Sequence, residues 1–282
     1  MLEAERSGLA ADPFPYGIFA FVPGRRFSQL RVNDYDDIAS VFDEAMAFDF
    51  HEATHPLRQR VASAIGSADT LRCVDLCCGS GLFLSRLATD RGILGWGFDC
   101  SLNQIAVARG RSPGEQIVYQ ATDVLEAQFP GEIDLVSINF DALNHIGSAA
   151  EWRELFARIH RALRRQGRLL FDINLPERLA SDWDSPEVIV KDGLVYVQVA
   201  EAPVFEGTCV RRRTPMVIFK REPSGFFRQH EALIEQFAMP LEAVTSMLKN
   251  TGFSQVEVIG EEGSNPRGHI FNKHRAFVLA GK

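Results

Sequence analysis

The middle of the chain alternates short apolar runs with longer amphipathic ones. The short runs are rich in β-branched and aromatic residues, as strands are: LRCVDL, ILGWGFD, QIVYQA, IDLVSINF and GRLLFDIN. The amphipathic runs place apolar residues every three or four positions, as helices do: LFLSRLATDR, SLNQIAVAR and AAEWRELFARIHRALR. Because strands and helices alternate, the pattern predicts right-handed parallel crossovers and a doubly wound α/β sheet.

The pattern changes after Pro176. Three segments then alternate apolar and polar residues more strictly: LVYVQVAEA, TCVRRRTPMVIFKRE and GFFRQHEALIEQFAM. This alternation predicts an antiparallel meander inserted into the α/β unit. A helix resumes with Pro240 in its first turn and Gly252 at its C-cap, and the strands SQVEVIG and RAFVLAGK follow.

The first part of the chain has another pattern. Residues 12–27 are rich in Pro and Phe without a period, which predicts an ordered arm or lid. From Asp34 to Ile65 the apolar spacing is helical, and Pro56 is expected to open a second helix. The expected organisation has three parts: an N-terminal arm and helical cap (1–66), an α/β domain (67–175 and 240–282), and an antiparallel β-insert covering the active site (176–239).

The charge balance restricts the partners. The chain has 282 residues, and its 37 acidic and 30 basic side chains give a net charge of −7. This balance argues against nucleic acid or an anionic membrane as a partner and favours a small molecule. No apolar stretch approaches the roughly 18 residues of a membrane span, and the first residues lack the apolar centre of a secretory signal. We therefore expect a cytoplasmic protein.

The cysteines do not suggest a metal site. Five are present, and Cys73, Cys77 and Cys78 lie close together. Their spacing suits neither a disulfide framework nor the paired ligands of zinc. We expect small buried thiols in a reducing compartment.

The segment VDLCCGSG joins the first strand of the α/β unit to its first helix. Gly79 and Gly81 permit a tight turn, and the following helix presents free backbone N–H groups to a ligand. Asp99 ends the second strand, where a carboxylate is placed to accept both hydroxyls of a ribose. These features together favour a nucleotide-like ligand over an ordinary strand-to-helix turn.

Two ligand classes share this geometry. A dinucleotide motif requires a third glycine, where this chain has Leu84, and a pyrophosphate gains nothing from the neighbouring Asp75. S-adenosylmethionine offers a ribose for Asp99, an amino-acid tail for the loop, and a sulfonium that prefers carboxylates, carbonyls and aromatic faces. The residues therefore favour S-adenosylmethionine.

Four segments in order resemble the motif series of class I S-adenosylmethionine-dependent methyltransferases: VDLCCGSGLFLSRLA, GFDCSLNQIAVAR, ATDVLE and IDLVSINFDALNHI. AVTSMLKNTGFSQVEVIG resembles the C-terminal helix and strand of that family. DYDDIASVFDEAM resembles the first helix of small-molecule members related to glycine and sugar-amine N-methyltransferases, which often carry a β-insert after the fifth strand. The resemblance implies a Rossmann-like methyltransferase sheet, S-adenosylmethionine as cofactor and a small-molecule acceptor.

The resemblance also implies which residues contact the cofactor. They are Asp75, Cys77, Gly79, Ser80 and Gly81 for the methionine moiety, Asp99 for the ribose, Cys100 or Leu102 for the adenine face, Asp123 and the Val124 amide for the adenine edge, and Asn139 and Phe140 for the sulfonium. Tyr35 matches a tyrosine that closes over the cofactor. Cys77 replaces the first loop glycine of the family, so we expect it to require a negative φ and to shift the amino-acid tail.

Methyl transfer from a sulfonium is an in-line displacement, and a base is needed only when the acceptor arrives protonated. His145 follows the fourth strand, where open α/β sheets bind ligands, and is a candidate base. Its alternative is to cap the following helix or to satisfy a nearby backbone group. Asp141 is a candidate for binding an amine acceptor, and its alternative is a helix cap. Asn139 and Tyr35 complete the predicted catalytic set.

Basic side chains elsewhere have a structural alternative that we prefer. His230 and the run 211–213 lie on alternating strands, where half of the side chains face solvent. An inward-facing Arg211 or Arg213 would suit an acceptor carboxylate. His51 and His55 have the spacing of a metal pair on a helix, but no third ligand accompanies them, so a solvated face or a helix end is favoured.

Three functions are open at this point. The first is methyl transfer to a small-molecule N or O acceptor. The second is intramolecular attack of the methionine amine on its own aminobutyryl carbon, which releases methylthioadenosine and is compatible with an aromatic arm of Phe14, Tyr16, Phe19 and Phe21. The third is a non-catalytic S-adenosylmethionine-binding module. Either a monomer or a homodimer is compatible with the sequence.

Overall fold

The computed structural model describes residues 33–65, 70–112, 116–259 and 274–282. The aromatic arm predicted for residues 12–27 lies outside the described residues. Within the described residues, no helix is long and apolar enough to cross a membrane.

The described residues form a mixed α/β structure. The helices are α1 (Phe48–Ala64), α2 (Leu82–Asp90), α3 (Leu102–Arg111), α4 (Ala149–Ala162) and α5 (Leu241–Thr251). The strands are β1 (Leu71–Leu76), β2 (Ile93–Asp99), β3 (Ile117–Ala121), β4 (Ile133–Ile138), β5 (Leu163–Asn174), β6 (Glu187–Lys191), β7 (Leu194–Gln198), β8 (Val204–Glu206), β9 (Cys209–Arg221), β10 (Phe227–Ala238), β11 (Gln255–Ile259) and β12 (Arg275–Gly281). A π-helical turn (Asp43–Ala47) precedes α1, and a 3₁₀ turn (Ala142–His145) follows β4.

The larger sheet has the strand order β11-β12-β5-β4-β1-β2-β3. Strands β1 to β5 pair in parallel, and β12 runs antiparallel to β5. Helices cover both faces, because Val136 of β4 packs in one core with α4 and α5, whereas Leu135 packs in another with α1, α2 and α3. Such double coverage explains why every residue of β4 is buried. The predicted doubly wound sheet is confirmed.

The smaller sheet is antiparallel, with the order β10-β9-β7-β6 and β8 paired to β9. One of its faces packs on the cap, where Ile38 and Val41 meet Tyr196, Ile218 and Ile234. The predicted antiparallel meander is therefore present. The division into the three expected parts stays a prediction.

The prediction for Pro56 was wrong. Pro56 lies inside α1 and does not begin a helix. A proline in a helix removes one backbone hydrogen bond. Phe50, Leu57 and Val61 are buried on either side of it, and this burial outweighs the loss. At α5, Pro240 is the residue before the first turn, and Gly252 caps the C-terminus with a φ of 112° as predicted.

Candidate active site

A cavity of about 300 Å³ lies at the carboxyl ends of the parallel strands. The larger sheet, the cap and the smaller sheet all contribute to its wall. Ten of the predicted site residues line it: Tyr35, Asp75, Cys77, Gly79, Ser80, Asp99, Asn139, Phe140, Asp141 and His145. Open α/β sheets bind their ligands in this position, so the cavity is the candidate active site.

The loop between β1 and α2 follows a left-handed path at Cys77, Gly79 and Gly81, with φ values of 54°, 52° and 77°. The expectation that Cys77 requires a negative φ was therefore wrong. The next amide, that of Cys78, donates to the Phe98 carbonyl at 3.0 Å and fixes this path. At about 1–2 kcal/mol, the left-handed cost of a single cysteine is small enough for such contacts to offset.

Asp99 joins this loop to the end of β2. One carboxylate oxygen accepts from the Gly79 amide at 2.8 Å, and the other accepts from the Ser101 amide at 2.9 Å. Burial raises the pKa of Asp99, and the two amide donors oppose that rise. The carboxylate thus holds the glycine loop in register with the adjacent strand.

Asp75 ends β1 at the floor of the cavity. Its Oδ1 accepts from the Ser137 hydroxyl at 2.6 Å and from the Asn139 amide at 2.8 Å. Burial raises the pKa of Asp75 to about 7. Asp75 therefore titrates near neutral pH, and a cationic ligand would favour its charged form.

Tyr35 and His145 form a hydrogen-bonded pair in the cavity. His145 Nδ1 lies 3.2 Å from Asn33 Oδ1 and 3.3 Å from the Glu235 carbonyl. Asn33 Oδ1 also accepts from the Glu235 amide, so both neighbours of Nδ1 are acceptors and Nδ1 carries the ring proton. His145 Nε2 then accepts from the Tyr35 hydroxyl at 3.1 Å.

Burial acts on both members of this pair. It lowers the pKa of His145, so the imidazole is neutral at neutral pH. It raises the pKa of Tyr35, with a further contribution from the negative charge of Asp141. His145 Nδ1 contacts the Glu235 carbonyl, as its structural alternative expected, and Nε2 also faces the Tyr35 phenol, so its role as a base stays a prediction.

Asp172 holds the turn after β4 in an unusual conformation. Phe140 and Asp141 are consecutive left-handed residues, with φ values of 59° and 48°. Asp172 Oδ1 accepts from the Phe140 amide and Oδ2 from the Asp141 amide, each at 2.8 Å. Arg275 pairs with Asp172 and Asp141. Its guanidinium also lies 4.7 Å from the centre of the Phe50 ring, which stacks on Phe140.

Asp141 does not cap the 3₁₀ turn that follows it, contrary to its structural alternative. Its Oδ1 accepts from Arg275 at 2.6 Å. Its Oδ2 accepts from Asn174 at 3.0 Å and from the Gln236 amide. Asp141 thus connects the turn after β4 to β5 and to the smaller sheet.

Three carboxylates fix the cap to both sheets. Asp36 accepts from the Ser101 hydroxyl and from the Asn103 amide at the start of α3. Asp43 accepts from the Ser80 hydroxyl at 2.7 Å and pairs with Arg111. On the other side, Asp37 accepts from the Glu231 amide of β10 at 2.8 Å.

Five of the residues predicted to bind the cofactor do not line the cavity: Gly81, Cys100, Leu102, Asp123 and Val124. Gly81 is constrained by packing, because a Cβ there would lie 2.5 Å from the Tyr119 hydroxyl. Cys100 and Leu102 are exposed, and Asp123 accepts from the Leu125 amide. Val124 is buried in the core. The exposure of Cys100 also corrects the prediction that all the thiols are buried.

The basic run on β9 does not line the cavity. Arg212 is the buried member, and it donates to the carbonyls of Leu179 and Glu201 at 2.7 Å each. Arg211 and Arg213 both pair with Glu235, so the inward orientation considered for them was wrong. Because side chains alternate between the two faces of β9, Arg212 faces inward and its two neighbours in the run face outward.

The three candidate histidines have separate partners. His230 Nδ1 lies 2.8 Å from the Asp37 carbonyl, outside the cavity. His55 pairs with Asp90 at 3.1 Å, whereas His51 Nδ1 lies 3.1 Å from Arg58 and lines the cavity. In the described part of the chain, no three His, Cys, Asp or Glu residues form a metal-binding group.

The sequence did not predict four residues that line the cavity, Asn174, Thr214, Gln236 and Arg275, or Asp172, which supports its wall through the Phe140 and Asp141 amides. Asp172 and Asn174 lie at the end of β5, the same edge that identified Asp75 and Asn139, so this signal was present. Arg275 begins a strand antiparallel to β5, and its register opposite Asn174 brings it to that edge. Thr214 and Gln236 had no local signal, because β9 and β10 carry no motif.

Comparison with known proteins identifies the domain. The family described as "Methyltransferase domain" matches residues 73–167, which include the glycine loop and the turn after β4. Residues 73–167 therefore match a methyltransferase domain. The chain is 24% identical over 235 residues to a protein of Geobacillus sp. (strain WCH70) that carries a provisional methyltransferase name, and the match covers 80% of this chain and 92% of the relative.

Two solved structures share the fold of this chain. One is an S-adenosylmethionine-dependent methyltransferase from Clostridium acetobutylicum ATCC 824, with a TM-score of 0.68 and 19% identity, covering 88% of this chain and 98% of the other. The second is the sugar N-methyltransferase KedS8 from Streptoalloteichus sp ATCC 53650, with a TM-score of 0.63 and 15% identity, covering 100% of this chain and 99% of the other. At these identities the likeness shows the fold alone.

The loop end of the cavity fits S-adenosylmethionine. The space beside Gly79 is open to a ligand, because the atom nearest to a Cβ placed at this residue is Gln104 Oε1 at 3.8 Å. That oxygen is buried and has no hydrogen-bond partner among the described residues. Each oxygen of Asp99 has one backbone donor and room for a second. The donors and acceptors are therefore suited to a polar nucleoside with a cationic tail.

Proposed function

We propose that the methyltransferase transfers a methyl group from S-adenosylmethionine to the nitrogen of a small polyhydroxylated amine. The cofactor would lie at the loop end of the cavity, and the acceptor would lie against the smaller sheet. This arrangement follows the expected division of the chain, in which residues 176–239 cover the active site and residues 1–66 form the cap. A small-molecule acceptor also agrees with a cavity of about 300 Å³.

The observation that carries this proposal is the Tyr35–His145 pair. An amine is protonated in water, and its lone pair must be freed before it can attack a methyl group. In this proposal the Tyr35 oxygen would accept a proton from the acceptor ammonium while its own proton passes to His145 Nε2. The pair thus removes one proton without placing an unpaired charge on the phenol, whose ionisation burial disfavours.

The methyl transfer itself is an in-line displacement. The bound cofactor supplies a methyl group whose bond to sulfur breaks as the electron pair returns to the sulfonium. The acceptor nitrogen forms the new bond and becomes a methylammonium. The proton held by His145 returns to solvent once the cap opens. Asn139 and Phe140 would contribute orientation, since Asp75 accepts from the Asn139 side chain and Asp172 accepts from the Phe140 amide.

Two buried polar atoms on the acceptor side support a hydroxylated substrate. Thr214 Oγ1 and Asn174 Oδ1 line the cavity and have no hydrogen-bond partner among the described residues. Leaving such an atom unpaired costs about 1–3 kcal/mol, so a ligand that pairs with it gains affinity. Hydroxyl groups satisfy both, because they donate and accept. Asp141 would act here as a positioning residue that holds Asn174 and Gln236 in place.

The residue roles implied by the sequence are retained as part of this proposal. Asp75, Gly79 and Ser80 would bind the methionine moiety, and Asp99 the ribose. KedS8, which shares the fold, is named as a sugar N-methyltransferase, and this supports a hydroxylated amine as the acceptor class. Cleavage of S-adenosylmethionine without an acceptor has no comparable support in the fold or the site.

The decisive experiment measures two products from S-adenosylmethionine. With free hexosamines as probe acceptors, we expect S-adenosylhomocysteine and an N-methylated sugar. With the corresponding hexoses, which lack the amine, we expect neither. Methylthioadenosine formed without any acceptor would refute the proposal, and so would methylation of the hexoses alone. Thr214→Val is expected to raise the KM of the hexosamine several-fold while leaving the affinity for S-adenosylmethionine unchanged.

A further inference from the structure

His51 lines the cavity and has no part in the function described so far. It lies on α1, and its Nδ1 is 3.1 Å from a terminal nitrogen of Arg58. A guanidinium carries only hydrogen-bond donors, so Nδ1 must accept from it. The single proton of the neutral ring is therefore on Nε2, and Nε2 is a fixed donor.

The surroundings of His51 keep it neutral. Burial lowers its pKa well below the ordinary value, and the positive charges of Arg58 and Arg111 lower it further. Arg111 is already paired with Asp43 and donates to the Ser80 carbonyl at 3.0 Å. His51 thus acts as a donor near the glycine loop across the whole neutral range.

Arg58 places a buried positive charge behind His51. Its guanidinium is buried and lies over the rings of Phe50 and Phe83, at 5.0 Å and 5.6 Å from their centres. Within the described residues it forms no ion pair, and its Nη2 has no hydrogen-bond partner. A fixed N–H donor backed by a buried guanidinium that forms no direct ion pair among the described residues is suited to an anion.

We propose that His51 donates its Nε2–H to the carboxylate of the methionine moiety of the cofactor, and that Arg58 positions His51 for this contact. The methionine moiety carries an ammonium and a carboxylate. Asp75, whose hydrogen bonds all fall on Oδ1, suits the ammonium, and His51 on α1 suits the carboxylate. The inference rests on the proposed place of the methionine moiety at the glycine loop.

The test compares two ligands that differ only in the carboxylate. Calorimetry gives the Kd of S-adenosylmethionine and of decarboxylated S-adenosylmethionine for four forms of the full chain: wild type, His51→Leu, His51→Gln and His55→Leu. We expect His51→Leu to weaken S-adenosylmethionine about tenfold and the decarboxylated ligand less than about twofold. His51→Gln keeps an N–H donor at similar reach, so most of the affinity should return.

His55→Leu is the matched control, because His55 lies one turn further along α1 and pairs with Asp90 outside the cavity. It should change neither Kd. An equal loss of both ligands in His51→Leu, or no loss of either, would overturn the proposal. So would an unchanged cofactor Kd with a raised acceptor KM, which would assign the anion to the acceptor. Because no acceptor is present in the titration, a failed acceptor proposal leaves this result intact.

Discussion

The two ends of the cavity use polar groups in different ways. At the loop end, Asp75 and Asp99 are buried carboxylates held by amide and hydroxyl donors from neighbouring strands. At the other end, the smaller sheet contributes uncharged groups such as Gln198 and Thr214, and some buried polar atoms have no partner. At the loop end the protein holds the carboxylates in place before any ligand binds and leaves Gln104 Oε1 unpaired, whereas the other end leaves uncharged groups such as Thr214 Oγ1 for the ligand to pair with. The two ends therefore differ in whether charged or uncharged groups meet the ligand.

The largest expected effect concerns Asp172, which pairs with Arg275 and accepts from the backbone amides of the turn after β4. Asp172→Asn places an amide against Arg275 and the Asp141 amide, and so breaks a buried ion pair. We expect a loss of about 3 kcal/mol in the free energy of unfolding, measured by urea denaturation. Asp182→Asn is the control, because its pair with His274 is partly exposed and should contribute less than about 1 kcal/mol. An equal loss in the free energy of unfolding of the two variants would contradict the stabilising role of Asp172.

The next effect separates chemistry from cofactor binding. His145→Gln removes the basic nitrogen that accepts from Tyr35, so kcat should fall about 100-fold. The Kd of S-adenosylmethionine should stay within about twofold, because His145 belongs to the acceptor end. His160→Gln, on the outer face of α4 beside Phe253, should change neither quantity. A large change in the cofactor Kd of His145→Gln would erase the distinction between the ends.

The corresponding change at the loop end is Asp99→Ala. It removes a charge-assisted acceptor, and the affinity for S-adenosylmethionine should fall by about 2 kcal/mol or roughly 30-fold. Calorimetry of the purified protein measures this directly, with Asp90→Ala as a control at the end of α2. An affinity for S-adenosylmethionine equal to that of wild type would show that the cofactor does not bind at this end of the cavity.

The smallest effect is a pH dependence that belongs to the loop end alone. The pKa of Asp75 is raised from 3.8 to about 7 by burial, so the folded state binds the proton more tightly than the unfolded state. The free energy of unfolding should therefore fall as the pH rises from 4 to 7. Over the same titration the carboxylate forms, and affinity for cationic S-adenosylmethionine should rise about tenfold between pH 6 and pH 8. In Asp75→Asn this slope should disappear, and a persisting slope would assign it to another group.

The same two ends differ in how far the sequence predicts them. The loop end depends on short segments: Asp75 and Asp99 were predicted because they lie at the ends of recognisable strands, and Gly79 because it lies in the glycine loop after the first strand. Parallel strands bring their carboxyl ends to one edge, so local patterns locate residues in space.

The end of the cavity at the smaller sheet depends on pairings between segments that are distant in the sequence. Arg275 reaches Asp172 only because β12 returns antiparallel to β5, and Thr214 reaches the cavity through the register of β9. Neither pairing has a local signature. Cys77 was misjudged for another reason, since the sequence shows the cost of a left-handed cysteine but not the contacts that hold it there.

The three carboxylates of the cap have a consequence for cooperativity. Asp36 and Asp43 bind the loop end, and Asp37 binds β10, all within ten residues of one another in the chain. Because these three residues belong to one short segment, a ligand that stabilises the attachment of the cap at one end of the cavity also stabilises its attachment at the other end. By linkage, the factor by which cofactor raises acceptor affinity equals the factor by which acceptor raises cofactor affinity.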